Sequence, residues 1–416
     1  MGVSTAMRRA SSRRRSADET LVHAKRMAPT AGISGVEELS PQNEFGVSVF
    51  AAMRPRSLSD GLTFGKGRTP VDAEVGALME GLEFYFAEPG VSDVKTLWAT
   101  ARELAGQQAA EEALNQYIPL RGKTLEVEAP LLLARAHDLE TGEESLVPAE
   151  LVFRPAPDTV QKLYGTSTNG LASGNSIEEA SRFALFELIE RDIWSLELAR
   201  SQSRLVTPES LPEEIQEIIA RADQQGLSLC IRTVPNDYGL PFFVSFLTDA
   251  NDLRLDSFNG GWGCAFNASD AVMQSVLEAV QSRLGLIYGG RKQADRLARK
   301  LADGNTQKIA DLVSGQIRKV LDATLSTSFT DLADVSSLTA SETQLDSLIG
   351  IFREASDAPI HRVIYSPRKS PLHFVRLIVP TLEHYKVGKP RVGSRLRAAL
   401  RESAAGKSVR SDGQNS

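Results

Sequence analysis

One loop-and-helix unit occurs three times along the chain, and this repeat limits the possible folds more than any other feature. With Gly67, Gly174 and Ala265 as origins, the residues two positions on are Thr69, Ser176 and Asn267. Each is a good helix N-cap, because its side-chain oxygen can accept from the free N–H groups of the first turn. Pro70 suits the first turn of the first copy. Five positions on come Asp72, Glu179 and Asp270, acidic at the positive helix end. Glu179 is expected to complete a capping box with Ser176. Positions six and ten hold small residues (Ala73, Ala180, Ala271; Ala77, Ala184, Ser275), where a backbone can approach closely. Positions eleven and fifteen hold Leu78, Leu185, Val276 and Leu82, Ile189, Val280. Position thirteen is Glu80, Glu187 and Glu278, and position sixteen is Glu83, Glu190 and Gln281. At about 100° per residue the apolar positions share one arc and the small ones another. The paired acids and amides, three apart, lie on a face between those arcs. They are therefore expected at the edge of the packed face, in a cleft.

A single Glu-x-x-Glu pair is an ordinary solvated helix face. Three copies in one register, each behind a Gly-rich segment, are harder to explain that way. Neighbouring carboxylates repel, so clusters usually persist to hold a cation, and oxygen-only ligands suit Mg²⁺ rather than zinc. The Gly-rich segments at 64–67, 165–174 and 260–263 read individually as turns. Their N–H groups can also approach an anion at a helix start. No G-x-x-x-x-G-K-[ST] loop is present. Together the segments and carboxylates point to phosphates bridged by Mg²⁺.

The remaining pattern is that of an α/β (α+β) chain with mixed sheets, without a regular βαβ rhythm. Strands are expected at 46–53, 131–135, 150–153, 227–234, 242–247, 361–365 and 374–379. Helices are expected at 71–87, 178–201, 271–288, 309–321 and 343–355. No apolar run reaches the roughly 18 residues of a membrane span. A net charge of −6 does not favour nucleic acid. Cys230 and Cys264 are too few for a disulfide framework or a zinc site, so the cytoplasm is the expected compartment. Residues 1–28 read as a disordered basic tail and 401–416 as a disordered polar one, flanking a catalytic domain over 29–400. Gly2 begins a myristoylation-like start, but Ala6 stands where Ser or Thr is needed. His23, His137, His361, His373 and His384 are scattered, make no metal spacing and are expected in packing or surface roles.

The stretch Ser167-Thr-Asn-Gly-Leu-Ala-Ser-Gly-Asn-Ser-Ile-Glu-Glu-Ala, followed by Ala184-Leu-Phe-Glu-Leu-Ile-Glu-Arg-Asp192, resembles the signature of the YcaO family. Further matches are Ala52-Met-Arg-Pro55, Gly65-Lys-Gly67, Ala77-Leu-Met-Glu-Gly-Leu-Glu83, Leu277-Glu-Ala-Val-Gln-Ser-Arg283, Tyr288-Gly-Gly-Arg291 and Val375-Arg-Leu-Ile-Val-Pro380. The resemblance covers roughly residues 30–395. It implies ATP and Mg²⁺ as cofactors and activation of a peptide amide oxygen by phosphorylation. A nucleophile adds to the carbonyl carbon, the oxyanion takes the γ-phosphoryl group, and phosphate leaves. A Cys, Ser or Thr side chain then gives an azoline, and external sulfide gives a thioamide.

By motif position the resemblance places Mg²⁺ on Glu83, Glu187 and Glu190, with Glu80 as a second ligand or nucleotide contact. It places Arg376 and Arg191 on the transferring phosphate. Lys66, Ser167, Asn169, Gln281, Arg283 and Arg291 would contact the nucleotide. The sequence departs from the family pattern at Pro380-Thr381, where Pro-Gly is usual, at Thr168, and at Gly35, where arginine is frequent. No proline-rich end and no leader-recognition domain are visible, so a TfuA-like or leader-binding partner is implied beside the peptide substrate; a homodimer is also compatible. Thioamide formation is the favoured expectation. An azoline-forming cyclodehydratase and a non-catalytic peptide-binding scaffold are the alternatives.

Overall fold

The computed structural model describes residues 15–412 apart from 41–43, 106–111, 159–160, 250–256, 290–305, 333–343 and 387–389. The chain runs α1 (Ala17–Met27), β1 (Gly35–Glu38), β2 (Ser48–Met53), β3 (Leu62–Gly67), α2 (Pro70–Phe86), β4 (Thr96–Ala99), α3 (Ala101–Ala105), β5 (Leu131–Asp138), β6 (Glu144–Pro148), α4 (Ala149–Val152), β7 (Leu171–Gly174) and α5 (Ile177–Arg200). It continues through β8 (Arg204–Val206), α6 (Glu213–Gln224), β9 (Ser228–Thr233), β10 (Phe242–Thr248), β11 (Phe258–Cys264), α7 (Ala268–Tyr288), α8 (Thr306–Leu321), β12 (Ser326–Thr327), α9 (Gln344–Ala355), β13 (His361–Ile364), β14 (His373–Ile378) and α10 (Ser394–Asp412). The described strands form three sheets, ordered β1-β2-β3, β11-β10-β9-β8-β12 and β4-β5-β13-β14-β7, with β6 paired to β5. The mixed α+β architecture expected from the sequence is the one observed.

Each sheet ends in one copy of the repeat: β3 with α2, β7 with α5, and β11 with α7. The Gly-rich segments expected as turns are thus largely strands. Their glycines serve close approach. A Cβ on Gly65 would stand 2.0 Å from the carbonyl oxygen of Ala73, and one on Gly261 would stand 2.1 Å from that of Ser275. Glycine on the strand and small residues on the helix let each helix lie flush on its own sheet edge. The three units also interlock cyclically: α2 packs against β7, α5 against β11, and α7 against β3. This closed ring turns the same helical face of every copy toward one centre.

The caps form as expected, with Thr69, Ser176 and Asn267 accepting from the N–H groups of Asp72, Glu179 and Asp270. The Glu179 carboxylate accepts from Asn175 Nδ2 at 3.3 Å, a contact not foreseen by the expected capping box. Asn175 also binds the Thr20 hydroxyl of α1.

Three expectations need correction. The basic tail does not extend to residue 28: Ala17–Met27 is a helix, with a capping box from Ser16 and Glu19. Its Ala24 is buried against the first core, and Lys25 pairs with Glu74 at 2.8 Å. The flanking arginines hid this amphipathic helix in the composition. The polar tail from 401 is likewise helical as far as Asp412, continuing α10, whose Leu396 and Ala399 pack on Leu196 and Ala199 of α5. Residues 150–153, expected as strand, belong mostly to the helical turn α4, where the Glu150 carboxylate accepts the N–H groups of Leu163 and Tyr164. Residues 1–14, Arg291 and 413–416 lie outside the described residues.

Candidate active site

The cyclic packing carries an acid from each repeat helix to the strand of the next copy. Glu83 on α2 accepts from Ser173 Oγ on β7 at 2.5 Å. Glu278 on α7 pairs with Lys66 Nζ on β3 at 2.6 Å. Glu190 on α5 lies close enough to Cys264 on β11 to oppose its ionisation. Lys66, Ser173 and Cys264 occupy the same place in their copies, one residue before the origin. Two further acids are tied to backbone: Glu80 accepts from the Phe64 N–H at 2.8 Å and Glu187 from the Gly170 N–H at 3.0 Å. Arg191 bridges Glu190 and Glu278 at 3.5 and 3.9 Å, its guanidinium 5.1 Å from the Trp262 ring centroid. Glu187, Glu190, Arg191, Cys264 and Glu278 line a cavity of about 360 Å³.

Five carboxylates from three helices therefore face one centre. Burial pushes Glu80 up to about 7, opposed by its bond to Phe64 and by Lys66, with Glu278 adding repulsion. Burial pushes Glu83 up to about 8, with repulsion from Glu80 and Glu187. Glu190 rises to about 7 and Glu187 also rises, chiefly through burial, with Arg191 opposing both. These side chains still meet the cleft; that of Glu190 is 12% exposed. Such a charge cluster calls for a cation, and its all-oxygen donors suit Mg²⁺. Among the described residues no group of three His, Cys, Asp or Glu side chains stands assembled to hold a metal. Most of these carboxylates are turned onto Phe64, Gly170, Ser173 or Lys66. Metal binding would exchange these contacts for the ion.

Arg376 completes the site from β14. Its side chain is among the most deeply buried in the protein. Nη1 donates to the carbonyls of Ser167 at 3.0 Å and Asn169 at 2.9 Å, while Nη2 has no partner among the described residues. Asn169 Oδ1 is also buried without a partner. Orphaned buried polar atoms are rare; the Nη2 donor fits an anionic group that shares the cleft with the carboxylates, and the Oδ1 acceptor fits a cation or a donor. Arg376 acts electrostatically on both Glu83 and Glu187.

The structure thus brings together Lys66, Glu80, Glu83, Ser167, Asn169, Glu187, Glu190, Arg191 and Arg376. Gln281 and Arg283 lie on α7, half-buried near Glu278, and make no hydrogen bond or ion pair with the other site residues among the described ones. Glu278 and Ser173 were not foreseen as site residues. Glu278 carried a signal, repeat position thirteen; Ser173 had only its place before a repeat origin. Cys264 is buried, and its thiol is held well above the usual range by burial and by Glu190, so it is not a ready nucleophile. The Pro380-Thr381 departure places a β-branched residue at φ 70°, a left-handed position where glycine is at ease. The Thr381 N–H is held there by the Gln116 carbonyl at 2.8 Å.

A family model described as YcaO cyclodehydratase, ATP- and Mg²⁺-binding, matches residues 64–383. A protein of Methanothermobacter thermautotrophicus is 29% identical over 378 residues, covering 89% of this chain and 94% of that protein. A protein described as lying in the tfuA 3′ region of Rhizobium leguminosarum bv. trifolii is 28% identical over 299 residues, 69% of this chain and 70% of its own. Among solved structures, YcaO from Methanopyrus kandleri bound with AMPPCP and Mg²⁺ superposes with a TM-score of 0.70 at 21% identity, over 92% of this chain and 95% of that one. A heterocyclase in complex with substrate and cofactor gives 0.73 at 19% identity, covering 93% of this chain but only 55% of the heterocyclase.

Proposed function

Because the chain belongs to the YcaO family, with ATP and Mg²⁺ as its cofactors, we propose that it activates a peptide backbone amide by O-phosphorylation and yields a thioamide. The observation that carries the ATP-dependent part is the convergence of the repeat carboxylates beside Arg376, whose Nη2 lacks a partner. In this reading Glu83, Glu187 and Glu190 hold Mg²⁺, and Glu80 is a second ligand or nucleotide contact. Bound Mg²⁺ supplies charge neutralisation for the triphosphate. Arg376 and Arg191 face the transferring phosphoryl group, where fixed cations in a partly buried site stabilise developing negative charge. Ser167 and Asn169 shape the phosphate side through the carbonyls that orient Arg376. Lys66 keeps Glu278 paired, leaving the other carboxylates for the ion.

One observation favours external sulfide over a side-chain nucleophile. The relative from Rhizobium is described by its place beside tfuA, which supports a TfuA-like partner here. Both cysteines of the chain are buried, so in this reading the sulfur comes from outside and not from a carrier thiol of this chain. The second reading, azoline formation, is favoured by the family's description as cyclodehydratases. Mass spectrometry of the peptide after incubation with ATP, Mg²⁺, sulfide and the partner separates them. Exchange of oxygen for sulfur adds about 16 Da and ring-forming dehydration removes about 18 Da, by the addition–elimination chemistry of each. A gain is expected; loss of water without any need for sulfide would replace the thioamide reading with the azoline one.

A further inference from the structure

A second, smaller cavity adjoins the phosphate side of the site. Its lining mixes the polar Gln116, Ser167, Asn169, His384 and Arg391 with apolar side chains such as Leu188 and Leu377. Its volume is about 40 Å³, which exceeds the roughly 10–15 Å³ that one water needs. It holds a group of one or two heavy atoms, not a peptide. Its walls are shared with the catalytic cleft: Ser167 and Asn169 are the residues whose carbonyls fix Arg376, and Leu188 follows Glu187.

His384 supplies the imidazole of this lining. It makes no hydrogen bond among the described residues, although it is half-buried. Its position is nonetheless rigidly set. The N–H of the preceding residue, Glu383, donates to the fully buried Asp192 at 2.8 Å. Asp192 also takes the Tyr238 hydroxyl and the Arg395 guanidinium. The Glu383 carboxylate accepts from the N–H groups of Gly393 and Leu396 at the start of α10. Arg391, Arg191, Lys386 and Arg376 all act electrostatically on the ring. An imidazole without a hydrogen-bond partner among the described residues, held among four cations in the wall of a cavity of one or two atoms, is suited to a small, soft anion.

We infer that this cavity seats the attacking hydrosulfide and that His384 accepts its S–H proton. The inference rests on the thioamide reading. Hydrosulfide sulfur forms a bond to the amide carbon, and the carbonyl π pair moves onto oxygen. That oxygen takes the γ-phosphoryl group and ADP departs. As the C–O bond breaks and C=S forms, the S–H proton passes to the imidazole and from it to the departing phosphate. The balance is amide, hydrosulfide and ATP to thioamide, ADP and hydrogen phosphate. Burial and the four surrounding cations push the free imidazole down to about 3. The free ring is therefore neutral, with a lone pair open to a proton; hydrosulfide and the phosphates would offset the cations but not the burial, so the imidazole holds the proton only in transit to the departing phosphate.

Two measurements test this. In single-turnover assays with saturating peptide, His384→Gln should lower thioamide formation by about 10²-fold or more, the scale of a lost proton acceptor. Its affinity for Mg·AMPPCP should stay within about threefold of wild type, because the neutral ring makes no hydrogen bond to Ser167, Asn169, Arg191 or Arg376 and its loss removes no charge. In the unmutated protein, ¹⁵N-labelled imidazoles titrated with sodium hydrosulfide should show one of the five histidines shifting saturably. Thioamide formation by His384→Gln at the wild-type rate, equal loss of nucleotide affinity, or no responding imidazole would each overturn the assignment while leaving thioamide chemistry standing. Peptide dehydration without sulfide by the wild type would instead sink the thioamide reading, and this inference with it.

Discussion

Glu83→Gln should abolish ATP turnover while making the ligand-free protein more stable. Loss of groups that merely orient metal ligands costs about 10–100-fold, so loss of a direct ligand is expected to cost at least about 10²-fold. The stability effect has the opposite sign because the charged form is costly when no cation is bound. Burial, with repulsion from Glu80 and Glu187, raises the folded-state Glu83 to about 8 from an ordinary 4.5. Between those values the folded protein binds a proton that the unfolded chain does not. Stability therefore rises as pH falls from about 8 toward 5, and the full cost of the charge is borne above about 8. Glutamine keeps an acceptor for Ser173 but carries no charge. It should gain on the order of 1–2 kcal/mol at pH 8, a value held down by water in the cleft. Thermal unfolding from pH 5 to 9, with and without Mg·ATP, checks this. Wild type should be rescued at high pH by Mg·ATP; the variant should lose the part of the pH dependence near 8, keep the part near 7 that Glu80 and Glu190 contribute, and be rescued far less. A variant with intact ATPase and lower stability would remove Glu83 from the metal face.

Gly261→Ala should be far more damaging than its single methyl group implies. The added Cβ would stand 2.1 Å from the Ser275 carbonyl oxygen and 2.3 Å from the Ala279 nitrogen, both backbone atoms. No rotamer relieves that contact, so β11 and α7 must separate. Overpacking typically costs about 1–3 kcal/mol, and a backbone clash belongs at or above the upper end. Moving α7 also moves Glu278 from Lys66, so nucleotide binding should fall with stability. Gly315→Ala is the control. It lies in helix α8 with open space around the would-be Cβ, so alanine should stabilise by about 0.5–1 kcal/mol through helix propensity. Denaturant unfolding of both variants gives the comparison. Equal, small effects would mean that close strand–helix approach does not organise the repeat.

The repeat was legible because helix periodicity and capping are local. Thr69, Ser176 and Asn267 announce helix starts on their own, and the spacing of Glu80 and Glu83 fixes their common face. What the glycines meant was less legible. A Gly-rich stretch reads as a turn until a helix is known to lie across it, and the contact of Gly65 with Ala73 and Ala77 is tertiary. The cyclic order of the three units, which puts Glu83 on Ser173 and Glu278 on Lys66, has no signature in local pattern. Distance hides His384 too: its place beside Arg376 and Arg391 is set by Asp192, nearly two hundred residues earlier in the chain, through the Glu383 N–H. Helix α1 was missed because arginine content masked a stripe of Thr20, Leu21, Ala24 and Met27 that packs against the first core. Arg376, by contrast, was found through the family resemblance alone; nothing in its surroundings marks a buried arginine with an orphaned nitrogen.

The central claim is that the peptide amide oxygen itself takes the phosphoryl group in the cleft between the repeat helices. A peptide labelled with ¹⁸O at the reacting carbonyl tests it in one turnover with ATP, Mg²⁺, sulfide and the partner. Phosphate carrying one ¹⁸O atom for each modified peptide is the predicted result, whichever nucleophile attacks. Unlabelled phosphate formed alongside modified peptide would mean that ATP is hydrolysed by water and the amide is not phosphorylated, contradicting the account.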